Sequence, residues 1–381
     1  MVTESEPFIV DSDAHVLEPP DLWERYLEDE YKERAIKIVH PPEGGEQLHI
    51  DREMVMPGGL AALGSVEMDR SKLFGPESPF TYMDGAPAAS MYGPDRLKLF
   101  DEWGVQAGLA LPTVGILWDV DDVGLGNAYA RAYNNWLYEE FQAADRERII
   151  GAAHLHLKDP DTALEELRLR LKQGFRAVFL PPERVDGKPF THPDFDPLWH
   201  ECEDAGIPLV LHVIVRMKRR GTSFVNDWYE QGTANPLFTF GLGATYQIVP
   251  AVCSMVVDGL FDKFPNLKVF AVEAGAGWAA YVMDRLDEKY HHFNWVNPLQ
   301  LEKPSDYFRR NLWFCAEPEE RTTNSQLDLV GEDRILWGSD YPHIDSHIDA
   351  ASQILDSVKE LSPERRRLVL GENARALFGM D

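Results

Sequence analysis

Cysteine is scarce in this chain: three residues in 381, Cys202, Cys253 and Cys315, lie far apart and form no CxxC pair. That excludes a disulfide scaffold or thiolate zinc knuckle and suits buried free thiols in a reducing compartment. Basic charge is also short, with 37 Lys and Arg against 64 Asp and Glu for a net −27. Such a chain repels phosphate backbones and anionic lipid, so no nucleic-acid or membrane partner is expected. The longest nearly apolar run, Ile248 to Val257, is broken by Pro250 and Ser254. It has about half of the ~20 residues a spanning helix needs, so no transmembrane segment is expected. The first residues, Met1 to Pro7, carry two glutamates and no basic stretch, which is not a secretory leader and points to a cytoplasmic protein. No glycine-rich phosphate turn, Walker loop or Gly-x-Ser-x-Gly elbow occurs, which removes P-loop and serine-hydrolase chemistry.

What is present is core material, with 44% hydrophobic and 11% aromatic residues, arranged as short apolar runs alternating with longer segments of helical period. The strand candidates are Phe8 to Asp13, Ala107 to Leu111, Ile149 to Leu155, Ala177 to Leu180, Pro208 to Val213, Lys268 to Glu273, Leu312 to Ala316 and Ile335 to Gly338. Helical stretches are expected between them, among them Gly126 to Ala144, Pro160 to Gln173, Asp196 to Ala205, Pro250 to Lys263, Ala279 to Tyr290 and Ser346 to Glu360. This order predicts an α/β fold, a TIM (β/α)8 barrel, with residues 1–381 as one domain and a C-terminal helix. The doubly wound open sheet is the rival, but the first strand lacks its glycine turn. Val39 to Ser90, rich in Pro and Gly and without a sustained period, reads as a flap inserted after the first strand. Ile214 to Thr239 reads as a substrate-facing loop and helix after the fifth.

Polar residues cluster where strands end. The first ends in Asp13-Ala14-His15, the fifth in His212, the sixth in Glu273 and the eighth in Asp340, with His343 three residues on. All eight strands of a barrel end on one rim, and the spacing of two in Asp13-x-His15 puts both side chains on one strand face. Imidazole with carboxylate suits Zn, Mn or Fe rather than Mg or Ca. Such a centre with an open position activates water at neutral pH. Each residue also has a plainer reading: a hydrogen-bonded core histidine, a turn cap for Asp340, an N-cap for Glu273.

Five pieces resemble the amidohydrolase superfamily, in its branch of aminocarboxymuconate semialdehyde and resorcylate-type decarboxylases. They are Asp11-Ser12-Asp13-Ala14-His15-Val16-Leu17-Glu18-Pro19, His192-Pro193 with Asp196-Pro197-Leu198-Trp199, Leu209-Val210-Leu211-His212, Val272-Glu273-Ala274-Gly275-Ala276-Gly277-Trp278 and Trp337-Gly338-Ser339-Asp340-Tyr341-Pro342-His343. The resemblance implies a divalent metal on His15, His212 and Asp340, with Asp13 a further ligand and Asp340 also moving a proton. Founding members carry His-x-His on strand one, where this chain has Asp13. Decarboxylating members place a histidine after strand six, where this chain has Glu273.

The function expected is hydrolysis or non-oxidative decarboxylation of a small cyclic or aromatic organic acid or ester, with Asp340, Glu273 and His343 as proton-handling residues. A second reading uses Asp13, His15, His212, Glu273, Asp340 and His343 as up to six ligands for two irons in an oxygen-activating hydroxylase of a bulky apolar substrate. A third is an inactive barrel used as a binding protein. Arg184 and Arg216 are candidates for clamping a substrate carboxylate, and Trp118, Trp228, Phe238 and Trp278 for lining the cavity. His154 and His156 read as pocket wall or core, and His291-His292 as a solvated helix end. A homodimer is expected by analogy with related barrels.

Overall fold

The computed structural model describes residues 7–42, 44–66, 68–73, 78–214, 235–301 and 303–380. β1 (Val10–Val16) is followed by three short strands of a separate antiparallel sheet, β2 (Lys37–Val39), β3 (Gln47–Ile50) and β4 (Glu53–Met56). The remaining strands are β5 (Ala107–Pro112), β6 (Ile149–His154), β7 (Ala177–Leu180), β8 (Pro208–His212), β9 (Lys268–Val272), β10 (Leu312–Ala316) and β11 (Ile335–Trp337). The large sheet runs β1-β5-β6-β7-β8-β9-β10-β11, and its neighbours pair in parallel. Its ring closes where Ala14 bridges Tyr341: His15 N–H donates to the Tyr341 carbonyl (2.8 Å) and Asp340 N–H to the Asp13 carbonyl (2.9 Å).

Buried almost throughout, the barrel strands other than β1 read as nearly continuous apolar runs, as parallel strands covered on both faces do. Alternate side chains of β8 join different clusters. Leu209 and Leu211 pack outward with Trp199 and Val252, while Val210 joins Phe270 and Val272. His212 is in phase with Val210, so it faces inward. Two of the crossover helices start and stop where the sequence says. Asp159 accepts from Thr162 N–H to open Pro160–Lys172, and Gly206, at φ +68°, closes Asp196–Ala205.

Three elements differ from expectation. The inserted stretch is not irregular throughout, because β2 to β4 pair within it through registers such as Lys37 with His49 and Ile50 with Glu53. The helix expected from Pro250 begins at Pro236 and runs to Val257, passing through Pro250. Among the described residues it is long and apolar enough to cross a membrane by length and composition, which the ten-residue run did not suggest. It is the crossover between β8 and β9, and Ile248, Val252, Met255 and Val256 are buried against the barrel. The segment expected as one helix over Ser346 to Glu360 is helical only over Ala350–Ser357.

Candidate metal centre

His15 and His212 come from strands on opposite arcs of the barrel and are fully buried. Each ring is fixed by the backbone: His15 Nδ1 lies 2.9 Å from the Pro112 carbonyl oxygen and His212 Nδ1 2.7 Å from that of Val213. A carbonyl only accepts, so both Nδ1 atoms carry the proton and both Nε2 atoms present lone pairs. Those two Nε2 atoms face each other at 2.9 Å. Burial holds both rings neutral, pushing His15 down to about 3 and, with His15 as a further cause, His212 down to about 4.

Carboxylates surround this pair. Asp13, 1% exposed, has Oδ1 3.2 Å from His15 Nε2 and 4.0 Å from His212 Nε2, and neither of its oxygens accepts a hydrogen bond. Asp340 Oδ1 lies 3.7 Å from His15 Nε2 and 2.7 Å from His343 Nδ1; His343 Nε2 is 3.1 Å from Thr113 Oγ1. Glu273 Oε2 is 3.1 Å from His212 Nε2 and accepts no hydrogen bond. Donor atoms of Asp13, His15 and His212, of His15, Asp340 and His343, and of Glu273, Asp340 and Asp345 lie within 4.8 Å of one another in each set.

Burial raises Asp13, and together with the neighbouring carboxylates it raises Asp340 and Glu273 well above the carboxylate range. Converging lone pairs ringed by carboxylates without donors are the signature of a cation site, and the residues fit a divalent metal. Glu273 (φ +57°) and Asp340 (φ +53°) both hold left-handed backbone that non-glycine residues seldom adopt. Glu273 does not cap the next helix, which starts at Trp278 behind Gly277.

Beside the centre a cavity is lined by Trp118, His154, His156, Lys158, Phe179 and Arg184 among others. The rings of Trp118, His154, Phe179 and His212 follow one another at 4.3, 5.0 and 5.7 Å, from the cavity to the ligand pair. Of the expected substrate residues, Trp118, His156 and Arg184 therefore line it. Trp278 stands elsewhere, edge-on to Phe314 at 5.3 Å, and Arg216 and Trp228 lie outside the described residues. His291 and His292 occupy the last turn of Trp278–Phe293. The sequence reading missed Thr113, Asp345 and Glu317; the last directly follows β10 and obeys the same strand-end rule that singled out Glu273.

The amidohydrolase pattern matches residues 10–380. The chain belongs to the amidohydrolase family. This amidohydrolase is 26% identical over 244 residues to the 2-amino-3-carboxymuconate-6-semialdehyde decarboxylase of Dictyostelium discoideum, a match spanning 62% of each chain. It is 29% identical over 321 residues to the gamma-resorcylate decarboxylase of Rhodococcus jostii strain RHA1, covering 80% of this chain and 92% of that one. Its fold matches a crystallised amidohydrolase of Mycobacterium avium subsp. paratuberculosis K-10 with a TM-score of 0.81, at 24% identity over 98% of this chain and all of the other.

Proposed function

We propose that this amidohydrolase acts on a small aromatic or cyclic organic acid, removing its carboxyl group without an oxidant or hydrolysing an ester of such an acid. The observation that carries the reading is the pair of unprotonated Nε2 atoms of His15 and His212, 2.9 Å apart and faced by Asp13 and Asp340. The decarboxylase names of the curated relatives support a ring acid as substrate. Asp13, His15, His212 and Asp340 would hold the ion, and their mixed N and O donors suit Zn, Mn or Fe. When bound, it acts as a Lewis acid on a substrate oxygen.

The remaining work falls to the chain. Trp118, Phe179 and Ile214 offer an apolar slot for a ring, and Arg184 and Lys158 at its edge offer cations for a carboxylate or phenolate. In decarboxylation the bond to the carboxyl carbon breaks, CO2 leaves, and the ring carbon takes a proton, which we assign to Asp340. His343 and Thr113, in line behind Asp340, hold that carboxylate in place. The reading includes a cytoplasmic homodimer, supported by the free cysteines and by the exposed apolar Tyr281, Trp295 and Val296.

The test is CO2 release and ester cleavage across a panel of hydroxybenzoates, using metal-depleted protein reconstituted with Zn or Mn. Turnover should return with the first equivalent of metal and be indifferent to O2. His212→Ala should lose the metal and cost more than the roughly 10- to 100-fold typical of partners outside the ligand set. Full activity in that variant would refute the ligand assignment. Activity only with two irons and O2 would replace the reading by the hydroxylase, and no metal uptake at all by the scaffold.

A further inference from the structure

Arg96, on the helix Gly93–Trp103 that follows the flap, is a buried cation that the chemistry above does not use. It is 1% exposed, and among the described residues no carboxylate lies within ion-pair distance of it. Three rings cage its guanidinium instead, with the centroids of Phe100, Phe141 and Tyr341 at 5.7, 5.5 and 5.4 Å. Phe141 ends a wide π-type turn, Leu137–Phe141. Gly93 lets the helix lie against that turn, since a Cβ there would stand 2.0 Å from the Phe141 carbonyl oxygen. A buried cation without a counter-ion is costly, and were packing its only task an apolar side chain of similar volume would serve better. What the guanidinium gives in return is two directed hydrogen bonds: Nε donates to the Ala89 carbonyl (2.7 Å) and Nη2 to that of His15.

The backbone at His15 explains why the second of these is needed. In a parallel ladder the N–H and C=O of one residue point to the same neighbouring strand. His15 N–H donates to the Tyr341 carbonyl (2.8 Å), so its C=O faces the chain just beyond Tyr341. Pro342 has no N–H to offer there, and the N–H of His343 is spent on the Asp340 carbonyl (2.9 Å). The ladder thus stops one donor short on the strand that carries Asp13 and His15, and a buried carbonyl without a donor is costly. Arg96 is that donor. One step further on, Leu17 N–H donates to the Ser90 carbonyl (2.9 Å), so the end of the flap is bound to the same stretch of β1.

We propose that Arg96 is a positioning residue for the metal: by donating to the His15 carbonyl in place of the missing strand neighbour, it fixes the peptide that carries His15 and so the direction of the Nε2 lone pair. The inference rests on the metal-centre reading above. Because the same guanidinium also holds Ala89, the geometry of this ligand depends on the seating of the flap. The planar fork of arginine suits the task, since its donors diverge in one plane at fixed angles.

The test uses the full chain, stripped of metal by a chelator and titrated with Co2+ alone, read by calorimetry and by the visible spectrum of the bound ion, which reports the angles between its ligands. Arg96→Lys keeps the charge but not the fork, so it cannot hold both carbonyls, and it should bind Co2+ about 10-fold more weakly with a shifted band. Arg96→Met removes both bonds and should cost up to about 100-fold. An arginine that served the fold alone would lower the thermal midpoint of the metal-free variants and leave affinity and band unchanged, and that result in either variant overturns the proposal. Should Arg96→Met not fold, Arg96→Lys decides alone. Absence of Co2+ binding by the wild type overturns the metal-centre reading, and the role of Arg96 with it, whereas normal wild-type binding with unchanged variants overturns the role of Arg96 alone.

Discussion

A histidine ligates well when its other nitrogen is already committed, and in His15 that commitment runs through a buried glutamate. Glu18 accepts from the backbone N–H groups of Val114 (2.8 Å) and Gly115 (3.0 Å), the turn directly after Pro112, whose carbonyl holds His15 Nδ1. Burial pushes Glu18 up to about 7, against the two hydrogen bonds that pull it down. A carboxyl raised in the folded state binds its proton more tightly there than in the unfolded chain, so this group costs stability as pH rises from about 4.5 to about 7 and no more beyond. Glu18→Gln does not titrate. Thermal midpoints of the metal-loaded proteins should therefore shift in favour of the variant, relative to wild type, across that window and then run parallel. A gap independent of pH would show that Glu18 is not raised. At this scale Asp13, His15, His212, Glu273 and Asp340 were legible because each interrupts or ends an apolar run. Thr113 was not, since an uncharged residue in a turn carries no such contrast, and Asp345 lies in irregular chain beyond β11, where no period assigns it a side.

The closure between β11 and β1 sets the distance between Asp13 and Asp340. Asp11 accepts from Ser339 N–H (2.9 Å) and Ser339 Oγ (2.6 Å), drawing the end of β11 onto β1. Gly338 makes that approach feasible: a Cβ there would stand 2.2 Å from Asp13 Cβ and 2.9 Å from Cys315 Sγ. Neither neighbour can yield cheaply, because Asp13 and Cys315 are both buried. Gly338→Ala should thus displace Asp13, lowering metal affinity at least about 10-fold, and destabilise the fold by about 1 to 3 kcal/mol. Isothermal titration and thermal melts measure the two effects, and unchanged affinity would show that the closure does not set the ligand geometry. The barrel strands after β1 were readable because burial on both faces makes them nearly uninterrupted apolar runs. The helix Pro236–Val257 was harder, because it has no charged residue and carries Gly241, Gly243 and Pro250, which read as breakers, while packing against the barrel overrides them. The small sheet β2 to β4 was obscured by the shortness of its strands, three and four residues, too few to show an alternation.

Across the whole molecule the excess of negative charge and the carboxylate-lined rim have one consequence: the mouth attracts cations and repels organic acids until metal is bound. Loading should therefore precede substrate binding, and the ion should act as a fastener as well as a reagent. Its expected ligands come from β1, from β8 and from the turn after β11, so it ties together strands far apart in the sheet order. A ligand that binds only the folded state adds stability that grows with its concentration, about 2.7 kcal/mol at 100 times its dissociation constant. Adding Zn2+ or Mn2+ to chelator-stripped protein should raise the thermal midpoint progressively, and excess chelator should reverse the rise. His212→Ala should lose most of that response, because no unfolded chain assembles ligands separated by about 200 residues. A wild-type midpoint indifferent to metal would mean that the buried lone pairs and carboxylates at the barrel mouth are satisfied by something other than a cation.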